Sequence, residues 1–107
     1  MWRRVILMMA ATAGPAAADD AVESAFRGRR IAEANCAECH AITQIDESPL
    51  KEAPPFREIP ARIPADALAK MLEGAVFKKH AVMPDFEPDP QQAADLVTFM
   101  HDIAGSQ

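Results

Sequence analysis

The sequence predicts an all-α fold on three observations. Apolar residues recur at helical spacing near both ends of the chain, no stretch alternates apolar and polar residues as a half-buried strand would, and the middle is broken by closely set prolines. Residues 1–18 have the parts of a cleaved secretory signal. Arg3 and Arg4 form a charged start, Val5–Ala13 is apolar, Gly14-Pro15 breaks any helix there, and Ala16-Ala17-Ala18 offers small residues at the cleavage positions. The apolar run is shorter than the roughly 20 residues that span a bilayer. An uncleaved anchor is the competing reading, and the Arg-Arg pair alone is a weak sign of folded export. Cleavage after Ala18 leaves one domain, 19–107.

Within that domain the first helix is expected over Asp20–Asn35. It has Val22, Ala25, Gly28 and Ala32 at helical spacing, acidic residues early, and Arg27, Arg29 and Arg30 later. Ser48–Pro64 holds five prolines and predicts an irregular loop. Ala65–Glu73 predicts a short helix with Leu68, Met71 and Leu72 inward, stopped by Gly74. The last helix is the best marked. Asp89 suits the N-cap, Pro90 the first helical position, and Gln92 completes a capping box. Ala93, Leu96, Val97, Met100 and Ile103 make its apolar stripe, and Gly105 ends it.

The run Cys36-Ala37-Glu38-Cys39-His40 carries the chemistry. Two cysteines separated by two residues and followed at once by histidine form the c-type haem attachment signature. Each thiol adds to one vinyl group of the haem, and the adjacent histidine supplies a nitrogen to the iron. A zinc half-site, a redox pair and a structural disulfide are the alternatives. Zinc would call for a second Cys/His pair, yet these are the only two cysteines, and a thioredoxin-like pair expects strands around it.

Charge and size limit the partners. All sixteen acidic residues lie at or beyond Asp19, and losing Arg3 and Arg4 leaves nine basic groups, a formal charge of −7. Nucleic acid and anionic membrane surfaces are therefore disfavoured, and a redox protein with a basic docking patch is the natural complement. A domain of this size buries little surface, so a large flat cofactor would supply much of its core. The only Trp is Trp2, there is no Tyr, and five Phe are the other aromatics.

Taken together, residues 24–104 resemble a small class I cytochrome c. The family has glycine eight residues before the first cysteine, where Gly28 stands, and an aromatic or small residue four before it, where Ala32 stands. Leu96-Val97-Thr98-Phe99 matches the family's Leu-x-x-aromatic motif on the last helix. The resemblance implies crossing N- and C-terminal helices with a haem enclosed by loops. It also implies one covalent haem c on Cys36 and Cys39, and iron between His40 and a methionine before the last helix. Met83, in Met83-Pro84-Asp85-Phe86, has that place. A thioether ligand raises the potential relative to a second imidazole. His80, three residues earlier, is the rival ligand. Met71 and Met100 lie on helix stripes and read as core fillers, and His101 as an exposed helix residue.

The resemblance further implies that a loop proline's carbonyl orients His40, and Pro54 in Ala53-Pro54-Pro55-Phe56 is the candidate, with Pro55 next. Haem propionates need donors, and Arg57 and Arg62 are the candidates for them. Asp85, Glu87 and Asp89 read as caps and surface charge. The function implied is single-electron transfer by a monomeric periplasmic carrier that is not an enzyme. A haem-based gas sensor and a subunit of a dehydrogenase or oxidase complex are the competing functions.

Overall fold

The computed structural model describes residues 14–74 and 86–105. Among these it is all helical, with no strand. Helix α1 spans Gly14–Asn35, α2 Ala65–Leu72 and α3 Pro90–Ala104, with a 3-10 helix over Phe56–Ala61 between α1 and α2. No helix of the described residues is long and apolar enough to cross a membrane.

Helix α1 starts six residues before its expected start at Asp20. Gly14-Pro15 opens the helix rather than breaking it. Proline loses nothing at a first turn, where its missing N–H would have no partner, and Ala16–Ala18 are strong helix formers. The buried face of α1 is Ala25, Gly28 and Ala32, continuing to Cys36. Val22, expected on that stripe, is 68% exposed and borders an open groove with Phe99, Asp102 and Ile103.

Proline density did not leave the middle wholly irregular. Pro60 lies inside the 3-10 helix. Its fixed φ suits the tight 3-10 geometry, and a helix of six residues has few N–H bonds to lose. This helix buries Phe56 and Ile59 against α3.

Helix α2 buries Leu68 and Leu72, one turn apart. Met71 is 37% exposed, so it does not point inward as its spacing suggested. An eight-residue helix with one buried i, i+4 row turns the flanking i+3 position outward. The glycines that end α2 and α3 are not left-handed caps, since no described glycine has a positive φ. Gly74 bonds back to Met71 O, and Gly105 to His101 O at 2.8 Å.

Helix α3 begins as its sequence foretells. The Asp89 carboxylate accepts from Gln92 N at 2.8 Å, and Gln92 Oε1 accepts from Asp89 N at 2.9 Å. All five stripe residues are buried, joined by Phe99 and Asp95. Helix α1 packs on α3 where a side chain at position 28 would not fit. A Cβ on Gly28 would run into the Asp95 carbonyl oxygen and come within 2.8 Å of Phe99 Cβ. The core between α1, the 3-10 helix, α2 and α3 is built from Ala32, Phe56, Leu68, Leu72, Leu96 and Met100 with their neighbours.

Candidate functional site

The last turn of α1 runs directly into the cysteine pair. Cys36 N bonds to Ala32 O at 2.8 Å, and the amides of Cys39 and His40 both return to Cys36 O, at 3.2 and 2.9 Å. This compact turn holds residues 36–40 in one fixed arc. The segment that follows is tied back onto it. Leu50 N bonds to Cys39 O, Ala41 N to Ser48 Oγ, and Phe56 N to Ala41 O. The proline-rich stretch is thereby wrapped against the cysteine turn.

His40 is buried, with its ring fixed from two sides. Nδ1 lies 2.8 Å from the carbonyl oxygen of Pro54, and the Phe56 ring lies 5.2 Å away, tilted by 52°. With Nδ1–H donating to that carbonyl, Nε2 is the nitrogen that can accept a metal.

Neither cysteine is in a disulfide; Cys36 is buried and Cys39 half-buried. Burial, with the neighbouring Cys39, pushes the Cys36 thiol up to about 11, so it stays protonated at neutral pH. Two unpaired thiols and an oriented imidazole within five residues fit a haem c: two sulfurs for the porphyrin edge and one nitrogen for its iron. Among the described residues no group of three or more His, Cys, Asp or Glu is placed to hold a metal ion, as a complete zinc site would be.

The other candidates are distributed as follows. Arg57 is engaged by the loop after His40, donating from Nη1 to the carbonyls of Asp46 at 2.7 Å and Thr43 at 3.2 Å. That loop is itself closed by Asp46, which accepts from Thr43 N and Thr43 Oγ1. Burial pushes the Asp46 carboxyl up, but the bonds from Thr43 outweigh it and hold the group below its ordinary value. Arg62 is exposed and lies 3.8 Å from Glu58. Met100 is buried and His101 exposed. Met83 and His80 lie outside the described residues.

Two contributions escaped the sequence reading. One is Phe56, whose position beside Pro54 gives no sign that it would reach the His40 ring. The other is Asp95, a charged residue on the buried face of α3; its only sequence signal is its place directly before the apolar Leu96.

A family model described as cytochrome c oxidase, cbb3-type, subunit III, matches residues 23–100. No curated protein and no solved structure matches the chain. The matched span takes in the buried face of α1, the cysteine turn, His40, the loop around it and α3 as far as Met100. The chain therefore belongs to this family, as a c-type cytochrome domain of the small class I kind, built for haem-based electron transfer with redox partners.

Proposed function

We propose that this chain is a periplasmic single-electron carrier with one haem c, attached through Cys36 and Cys39 and ligated by His40 and Met83. The observation that carries the reading is the geometry at His40, whose Nδ1 sits at the Pro54 carbonyl at the end of a Cys-x-x-Cys turn. When bound, the haem iron supplies one-electron exchange between its ferric and ferrous states. Cys36 and Cys39 hold the porphyrin edge, His40 presents Nε2, and Pro54 and Phe56 keep that imidazole from rotating. Met83 would supply the second protein ligand to that iron, which would keep small ligands off it. Residues 1–18 direct export and are removed, and Arg57 and Arg62 serve the propionates.

Met83→Ala is the decisive variant. It should lower the midpoint potential and let carbon monoxide bind, while Met83→His lowers the potential but keeps six ligands. An unchanged ferric spectrum and potential in Met83→Ala would overturn the ligand assignment, and His80→Ala would then be the next variant. Rapid carbon monoxide binding by the wild type would favour a gas sensor. Mass spectrometry of the exported protein should find Asp19 at the N-terminus.

The description of the matched family favours a second reading, an electron-transfer subunit of an oxidase complex. Co-purification with a stable large partner from the native host would select it over a free carrier.

A further inference from the structure

Away from the cysteine turn, Asp95 is heavily partnered. Its side chain is 2% exposed and faces α1. Oδ1 accepts from Ser24 Oγ at 2.7 Å, Arg27 Nη2 at 3.0 Å and Gln91 Nε2 at 3.0 Å, while Oδ2 accepts from Arg27 Nε at 2.9 Å. Ser24 and Arg27 belong to α1 and Gln91 to α3, so one carboxylate ties the two helices together. The Asp95 main-chain carbonyl lies against Gly28 at the same crossing.

The carboxylate adds an electrostatic tie to a crossing that the packing at Gly28 already places. The buried face of α1 is the small-residue series Ala25, Gly28, Ala32, which the close approach at Gly28 keeps from sliding along α3 by one turn. A buried carboxylate does not tolerate that slip, because one turn away it would be desolvated with no guanidinium opposite. We propose that Ser24, Arg27, Gln91 and Asp95 form an ionic latch that holds α1 on α3 and releases it in acid. Helix α1 continues into Cys36, Cys39 and His40, so its register on α3 also sets where that turn is held. The latch goes beyond the electron-carrier reading and does not depend on it.

The groups around the latch set its response to pH. From α1 the carboxylate meets Ser24 and Arg27, with Glu23 and Asp20 close enough to reinforce the charge on that guanidinium, and from α3 it meets Gln91. Desolvation pushes Asp95 up, but the bonds from Arg27, Ser24 and Gln91 outweigh it and hold the group below its ordinary 3.8. A carboxyl lowered in the folded state stabilises fully above its unfolded value, and the contribution is lost as pH falls through the folded value.

The test is an acid titration of the haem-loaded protein, following amide exchange along α1 and α3 beside the visible band of the haem. Wild type should lose α1–α3 protection in a one-proton step below pH 3.8. Asp95→Asn should open roughly a hundredfold more often at neutral pH and lack the step. Ser24→Ala removes one donor to the charged form, so its step should move to higher pH, an effect that lost packing would not produce. Asp46→Asn, which alters the other acid-shifted carboxyl, should leave the step where it is. An unmoved step in Ser24→Ala, or a wild-type step in Asp95→Asn, would overturn the acid release. If Asp95→Asn does not fold, Ser24→Ala and Gln91→Ala decide by the direction in which the step moves.

Discussion

Gly28 on α1 lies against the main-chain carbonyl of Asp95 on α3, and a Cβ there would stand 2.6 Å from that carbonyl carbon. The obstruction is backbone rather than the end of a flexible side chain, so relief would require the helices to separate. Alanine is the better helix former by about 0.5–1 kcal/mol. The crossing nonetheless makes Gly28→Ala destabilising, by about 1–3 kcal/mol as for an overpacked core. Denaturant midpoints of the haem-loaded protein test this, and a neutral or stabilised variant would show that the helices can part at no cost.

Met100 and Met71 should separate sharply. Met100 is 1% exposed, and Met71 is 37% exposed. Met100→Ala should cost about 2–5 kcal/mol through the cavity it leaves. Met71→Ala should stay within about 0.5 kcal/mol, as surface changes do. Neither should alter the visible spectrum, because neither residue is assigned to the iron. Equal losses from the two would contradict the burial difference.

The start of α3 gives a smaller effect of known sign. Asp89→Ala removes the acceptor for Gln92 N and one half of the reciprocal pair, and should cost about 0.5–2 kcal/mol. Asp89→Asn keeps a side-chain oxygen and should recover most of that loss. Thermal unfolding of the three proteins at one pH measures it.

The imidazole of His40 offers a spectroscopic check. With the Pro54 carbonyl 2.8 Å away, its Nδ1 proton should be observable by NMR and slow to exchange with solvent. Phe56 closes the ring's other side, so Phe56→Leu should quicken that exchange and cost stability while leaving the haem attached. Fast exchange in the wild type would mean that the ring turns freely.

What the sequence determined by itself is whatever rests on local pattern. Helical periodicity placed α3 and most of α1, and the Asp89–Gln92 box placed the start of α3, because caps and stripes are set by residues within a turn or two. Cys36, Cys39 and His40 declared their chemistry because its spacing is covalent and contiguous. The tertiary structure decided what depends on distant neighbours. Val22 and Met71 fit their helical stripes but face outward, since a stripe says nothing of how far the partner surface extends. The prolines of the middle segment gave no hint of the 3-10 helix that brings Phe56 to His40. Asp95 carries no local signal of its role, which exists only because α1 brings Ser24 and Arg27 to it from about 70 residues away. A buried carboxylate is stable only with its partners in place, and those partners exist only once the two helices have met.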